Sequence, residues 1–321
     1  MTGALRITRS TITATIERSA IWIVLLALVL AGTMLSDAFL RPVYLGNVVR
    51  QLSPAGIAAI GVTFVMVLGG IDLSVGAVIS FAAVICAVQM NGETGNIPWA
   101  LGATLLAGAV VGLANGVLVA MSRASPFILT LGSSLAVYGL TQIYSGGTAR
   151  GVITPEFRDF FNYRLGGILP VLALAFLLTA VVGGLALRCS RYGRSLYLIG
   201  SNPRAARISG LPIARITLVT YSLSGLLAGF GGIALLARSG VSSTFSGRGL
   251  EFDVLAAVVL GGTTFEGGTG GVGGTVAGIL VLFVAFNMAN MAGLNYNAQL
   301  IIKGAIIVAS SAAYNYLKRR E

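Results

Sequence analysis

Histidine is absent from the 321-residue chain. That removes His-based acid–base chemistry, Ser-His-Asp hydrolysis and His-containing metal sites. Cysteine occurs only at Cys86 and Cys189, with no CxxC pair, which argues against a disulfide framework or a zinc cluster. Cys86 lies in an apolar run and reads as a small packing residue. The only lysines are Lys303 and Lys318, and neither stands in the Gly-Lys-Ser/Thr context of a phosphate-binding loop. Any ATP that drives this protein must be hydrolysed by another chain. Charge is scarce as well: 21 Lys+Arg and 10 Asp+Glu make up 10% of the residues, against roughly 25% in a typical soluble domain.

Apolar side chains and glycine take the vacant share. Hydrophobic residues are 56% of the chain, the mean hydropathy is +0.90 and glycine occurs 44 times. A soluble protein of this composition could not cover its surface with polar groups. Several runs approach the roughly 20 residues needed to cross a bilayer. The expected class is an all-α polytopic membrane protein. Apolar segments at 20–36, 51–69, 75–90, 98–120, 127–143, 168–187, 216–237, 252–265, 271–290 and 299–317 give about ten transmembrane helices. Breaks or short helices are expected near 69–76 and 253–270. In the eighth segment only Val254–Leu260 is continuously apolar before glycines intervene, as in a re-entrant helix shielded by protein. Residues 1–19 and 318–321 flank a single membrane domain, 20–317. The leader carries Arg6, Arg9 and Arg18, but Ser36-Asp37-Ala38-Phe39 is no convincing cleavage site, so the first span is read as uncleaved.

The net charge of +11 is spread between apolar runs rather than gathered on one domain, which favours a topology signal over nucleic-acid binding. With both termini cytoplasmic, the inside segments hold Arg6, Arg9, Arg18, Arg123, Arg188, Arg191, Arg194, Arg204, Arg207, Arg215, Lys318, Arg319 and Arg320. The outside segments hold about half as many: Arg41, Arg50, Arg150, Arg158, Arg164, Arg238 and Arg248. Two loops are long. Residues 144–167, outside, carry Phe157, Phe160, Phe161 and Tyr163; residues 188–215, inside, are basic and contain a helical stretch. Gly108, Gly112 and Gly116 recur every four residues, as do Gly270, Gly274 and Gly278. Such small-xxx-small faces let helices approach closely, here most simply within the chain. Val-Leu-Gly-Gly occurs at 67–70 and 259–262, too short a match to assign a repeat.

Two stretches carry the functional reading. In Gly69-Gly70-Ile71-Asp72-Leu73-Ser74-Val75-Gly76, the glycines weaken one helix end, and Asp72 and Ser74 are placed to cap the next. A carboxylate at membrane depth costs about 2.5–3.5 kcal/mol on insertion scales, so it needs a structural or pathway role. In the inside loop, Asn202-Pro203 is an N-cap and first-turn pair and Gly210 a stop, bounding a short helix suited to docking into a partner.

These motifs, with Pro-Phe-Ile-Leu-Thr-Leu-Gly (126–132), the Gly-Arg…Ile-Gly-Ser-Asn-Pro…Ala-Ala…Ser-Gly loop (193–210) and Ala-Ala-Val-Val-Leu-Gly-Gly-Thr-Thr (256–264), occur in one order from about residue 45 to 317. In them the chain resembles the permease subunits of bacterial ABC importers for monosaccharides, most closely the ribose-type permeases. The resemblance implies ten spans in the bacterial inner membrane, a second permease subunit (identical or not), a cytoplasmic ABC ATPase and a periplasmic sugar-binding protein that docks on loops including 144–167. It implies no cofactor and no metal on this chain, ATP and Mg²⁺ being used by the ATPase, and no catalytic residues. The matching ATPase-coupling residues are Gly193, Arg194, Gly200, Asn202, Pro203, Ala205, Ala206, Arg207, Ser209 and Gly210. Phe265 and Glu266 before Gly267-Gly268 depart from the family's second glycine motif, which leaves the local role of Glu266 open.

Transport by alternating access needs weak polar contacts along the route. Asp72, Ser74, Asn115, Tyr138, Gln142, Tyr221, Asn287, Asn290 and Gln299 are the pathway candidates, each competing with a role as interhelical glue. Lys303, inside an apolar run, reads as an ion-pair or snorkelling residue. An ATP-independent carrier or channel for a small polar solute is the alternative, and it would have no need for a capped coupling helix. An intramembrane enzyme would need a catalytic constellation, and Asp72 lacks an evident second aspartate.

Overall fold

The computed structural model describes residues 21–37, 39–295, 297–302 and 304–305. Lys303, both tails and most of the tenth expected span lie outside them. The helices are α1 (Ile21–Leu35), α2 (Pro42–Val67), α3 (Val75–Met90), α4 (Ile97–Met121), α5 (Pro126–Ser145), α6 (Pro155–Asn162), α7 (Val171–Cys189), α8 (Arg191–Ser201), α9 (Pro203–Ile208), α10 (Ile213–Ser239), α11 (Leu250–Leu260) and α12 (Val272–Met291). The only strands among the described residues are β1 (Arg164–Leu165) and β2 (Leu169–Pro170), a two-residue antiparallel pair.

Among the described residues six helices are long and apolar enough to cross a membrane: α2, α4 with its preceding turn, α5, α7, α10 and α12. The chain is a multi-pass membrane protein. At about 1.5 Å per residue, 16-residue α3 rises about 24 Å and 11-residue α11 about 16 Å, both short of a hydrocarbon core of about 30 Å. Each short helix adjoins a break: 68–74 precedes α3 and 261–271 follows α11.

α2 is apolar on every side and buried from Leu52 to Val67, as such a helix must be. It packs against α7, α10, α11 and α12 and forms the middle of the bundle. α4, α5 and α7 lie outside it, and their outward faces are apolar too: Leu106, Leu135 and Val182 are 66%, 69% and 65% exposed. Surfaces of this kind belong against lipid or another subunit. Where α4 meets α10, backbone lies on backbone. A Cβ on Gly108 or Gly112 would strike the carbonyls of Gly225 or Tyr221, and one on Gly116 would come within 2.9 Å of the Leu218 Cα. Gly274 and Gly278 seat α12 on Gly261, which follows α11, and on Ala257 of α11 in the same way. The periodic glycines are intrachain packing faces.

The loops sort to two ends. At one, 91–97, 144–170 and 240–249 meet: Gly92 N–H donates to the Val152 carbonyl (2.8 Å), and the Ser242 hydroxyl donates to the Arg150 carbonyl. The aromatic cluster there divides. Phe157 and Phe161 of amphipathic α6 are buried with rings 5.1 Å apart, whereas Phe160 and Tyr163 are exposed. Glu156, in the first turn of α6, is held below the usual carboxylate range by its own backbone N–H and then by the Thr94 hydroxyl. At the other end, 68–74, α8–α9 and 261–271 come together.

Candidate functional site

The break at 68–74 leaves backbone groups without helical partners deep in the bundle, and side chains from α10, α5 and the break itself satisfy them. Tyr221 of α10 and Thr130 of α5 each donate to the Ile71 carbonyl (both 3.2 Å), and Leu73 N–H donates to Thr130 Oγ1 (3.1 Å). Asp72, 1% exposed, accepts at Oδ1 from Ser74 N–H (3.0 Å) and Ser74 Oγ (2.6 Å). Its Oδ2 accepts from Ser224 Oγ of α10 (2.8 Å). Asn115 of α4 then donates to Ser74 Oγ (2.8 Å). The expected helix cap is therefore corrected. Ser74 is the N-cap of α3 but makes no side-chain cap bond, and Asp72 holds Ser74 rather than the first turn of α3. The four candidates Asp72, Ser74, Asn115 and Tyr221 form one cluster, which pins the helix break to α4 and α10. Thr130 and Ser224 belong to it and were missed, because a single hydroxyl in an apolar helix looks like local back-bonding to the preceding turn.

The segment 188–201 is more helical than expected. Ser190 caps α8 by accepting from Gly193 N–H (2.9 Å), and Gly193 must lack a Cβ because the Leu187 carbonyl occupies that space. Arg194 is exposed and donates to the Cys189 carbonyl (3.2 Å). Leu196 and Ile199 are buried, and Tyr197 donates to the Gly270 carbonyl (2.8 Å). At the end of α8, Gly200 lies where a Cβ would run into the Val67 carbonyl and the Gly268 N–H, two groups already bonded to each other at 2.9 Å. Gly69 (φ 90°) and Gly267 (φ 85°) complete this junction, and a Cβ on Gly267 would approach the Gly69 Cα to 2.7 Å. The root of the inside loop thus touches both helix breaks. Beyond it, Asn202 Oδ1 accepts from Arg204 N–H (3.1 Å) and Ala205 N–H (3.0 Å), Pro203 occupies the first turn, and Gly210 (φ 78°) follows the Ser209 C-cap. Ala206 is buried, whereas Arg204, Ala205, Arg207 and Ser209 are exposed. Ile208 is 88% exposed, an apolar tip that the sequence pattern hid among small and basic residues.

Residues 44–311 match the family described as branched-chain amino acid transport system / permease component. The chain belongs to this permease family. It is 36% identical to the ribose import permease protein RbsC of Bacillus subtilis (strain 168), over 88% of each chain. It is equally similar to RbsC of Escherichia coli (strain K12), over 89% of this chain and 90% of that one. It is 32% identical to the galactose/methyl galactoside import permease protein MglC of Haemophilus influenzae, over 95% and 96%. No solved structure matches it.

The other polar candidates of the permease fall elsewhere. Tyr138 and Gln142, half-buried on α5, stand apart from the Asp72 cluster, with the Tyr138 ring 5.9 Å from that of Phe245. Asn287 donates to Gln51 Oε1 (3.0 Å) and to the Phe283 carbonyl (2.8 Å), and Gln299 donates to the Leu294 carbonyl (3.0 Å). Asn290 is exposed. Glu266 points outward, while its carbonyl lies against Gly69. No group of three or more Cys, Asp or Glu side chains among the described residues is placed to hold a metal ion.

Proposed function

We propose that this permease is the membrane subunit of an ABC importer in the bacterial inner membrane, passing a monosaccharide by alternating access. The single observation that carries the reading is the α8–α9 arm: a capped helix with an exposed apolar tip, rooted on the two helix breaks through Gly200. A carrier powered by an ion gradient has no use for such an arm. In this reading α9 docks into a groove of a cytoplasmic ATPase, and movement of the ATPase displaces Gly200 against 67–70 and 267–268. The Asp72 cluster passes that displacement to α4 and α10. A second permease subunit completes the pathway, and a sugar-binding protein delivers substrate to the end that carries α6. The sugar reading rests on the names of the relatives quoted above, which describe ribose and galactose import.

Reconstitution tests it. The permease, its cognate ATPase and its binding protein are placed in proteoliposomes and labelled ribose or galactose uptake is followed. Uptake is expected only with ATP and all components present. Uptake by the permease alone, driven by a sugar or ion gradient, would establish the carrier reading instead.

A further inference from the structure

At the end of the bundle away from α9, four arginines gather where α2, α6, β1 and α10 meet. Arg50 of α2 donates to Asn162 Oδ1 (2.6 Å), and Arg164 of β1 donates to Asn47 Oδ1 (2.7 Å). Asn162 in turn donates to the Arg158 carbonyl (2.8 Å) and the Ala237 carbonyl (3.0 Å), which ties α6 to α10. Arg158 of α6 is exposed, and its guanidinium lies over Gly240, where a Cβ would stand 3.4 Å from Cζ. Arg164 and Arg158 both act on Arg50, and Arg50 acts on Arg238 of α10, so like charges repel across the cluster. The side chains that hold Arg50 and Arg164 are amides, which cancel no charge. Between Asp159 and Glu251 the sequence has no acidic residue. Asp159 adjoins Arg158 but leaves α6 on a different side, and Glu156 accepts from the Thr94 hydroxyl (3.1 Å). Arg238 lines a cavity together with Asp253, which leaves Arg50, Arg158 and Arg164 as the uncompensated three. Arg164 Nη1 is buried with no hydrogen-bond partner. Against them the C-terminal dipole of α10 sets only about half an elementary charge. Arginines near α9 answer to the topology rule, but a cluster at this end does not.

We propose that Arg50, Arg158 and Arg164 form a binding site for the phosphate of an anionic phospholipid, in the leaflet opposite α9. Phosphate oxygens accept from several guanidinium groups at once, a task that suits the planar fork of arginine. A bound phosphate would take up the free Nη1 of Arg164 and screen the repulsion among the three. The surroundings select a lipid over a free ion. Tyr163, Leu165 and Ile168 flank Arg164 in sequence and are exposed, as is Phe160. Aromatic and apolar side chains of this kind sit at the headgroup level of a bilayer. Pro170 ends β2 and is the N-cap of α7, so the hairpin leads directly into that helix. The outward side of α7 is apolar, with Leu178, Val181 and Val182 all exposed, and gives acyl chains a path away from the arginines. The hairpin also rests on α2, the Ile168 carbonyl filling the space that a Cβ on Gly46 would need. A lipid held there braces α2, α6 and the start of α7 as one unit. This assignment needs a chain that lies in a membrane, not one that imports a sugar.

For the test, the full-length permease in detergent micelles is titrated with phosphatidylglycerol, with phosphatidylcholine of the same acyl chains, or with inorganic phosphate. Thermal melting and lipid retention by native mass spectrometry are read on each sample. Phosphatidylglycerol should be retained and should raise the melting temperature at mole fractions where phosphatidylcholine does neither. Arg158→Gln and Arg164→Gln should each weaken retention about tenfold, the loss expected for one charge-assisted hydrogen bond. Arg188→Gln, an exposed position at the α9 end, should leave it unchanged. Should Arg164→Gln fail to fold for want of its bond to Asn47, Arg158→Gln, at an exposed position, decides alone. Unchanged retention by Arg158→Gln, or an equal loss in Arg188→Gln, would overturn the site. Equal protection by inorganic phosphate would overturn the lipid as its occupant. Variants that keep the lipid but lose docking of the binding protein would assign the cluster to that protein, and overturn the proposal as well.

Discussion

Replacing Asp72 by alanine or by asparagine separates its hydrogen bonding from its charge. The carboxylate accepts three bonds, from Ser74 N–H, Ser74 Oγ and Ser224 Oγ. Alanine leaves all three donors inside the bundle without an acceptor, at about 1–3 kcal/mol each when nothing replaces it. The two hydroxyls can turn: Ser224 has the carbonyl of the preceding helical turn within reach. Ser74 N–H cannot. The net loss is then about 3–6 kcal/mol. Asparagine keeps Oδ1 for both Ser74 donors and presents its amide nitrogen to Ser224 Oγ, which turns to accept. It loses mainly the charge assistance, about 1–2 kcal/mol. Either change also removes the cost of placing a charge at this depth, about 2.5–3.5 kcal/mol, which has the opposite sign. That contribution is common to both variants and cancels between them. Asp72→Ala should therefore be less stable than Asp72→Asn by about 2–4 kcal/mol, or roughly 30- to 1,000-fold in the unfolding equilibrium. Denaturant titration of the purified protein in mixed micelles measures the difference. Adding Ser224→Ala should cost about 1 kcal/mol in the wild type and close to nothing in Asp72→Ala. Equal stability of the two Asp72 variants, or the reverse order, would refute the hydrogen-bonding account.

Three further outcomes are expected. Gly200→Ala drives a Cβ into the Val67 carbonyl and the Gly268 N–H, an overpacking of about 1–3 kcal/mol; it should leave ATPase binding intact and cut ATP-driven uptake at least tenfold, as uptake and hydrolysis assays on one preparation will show. Ile208→Asp and Ala205→Trp, both at exposed positions, should abolish co-purification of the ATPase without shifting the permease's melting, whereas Ala206→Trp at a buried position should lower its melting as well. With the exposed Cys189 removed, cysteines at 150 and 204 should react with an impermeant reagent from opposite sides of the membrane; reaction from one side would refute the orientation read from the arginines.

Much of the fold could be read along the chain because each span carries its own signal. Apolar runs placed α1 to α5, α7, α10 and α12 to within a few residues, with α2 beginning earlier, at Pro42, than the run starting at 51. Gly69-Gly70 and Gly261-Gly262 marked the two breaks, and Asn202-Pro203 with Gly210 marked α9, since these residue types act locally. What escaped is tertiary. Ser224 and Thr130 become partners of the break only when α10 and α5 pack beside it. Nothing near Gly200 announces Gly268, which is distant in sequence. Helix α8 was read as loop because Gly193 and Gly200 weaken its propensity, although each is there to admit a neighbouring backbone.

The seam between α4 and α10 has a mechanical meaning. Contacts between long side chains can yield by rotamer changes, so a helix pair joined by them can slide and repack. At Gly108, Gly112 and Gly225 there are no rotamers to change: main chain rests on main chain, and sliding by less than a full turn would bring flanking side chains into the gap. The two helices are thereby confined to moving as one beam. Any opening of a route through this permease has to be taken up elsewhere, where α5 and α7 meet the rest through side chains.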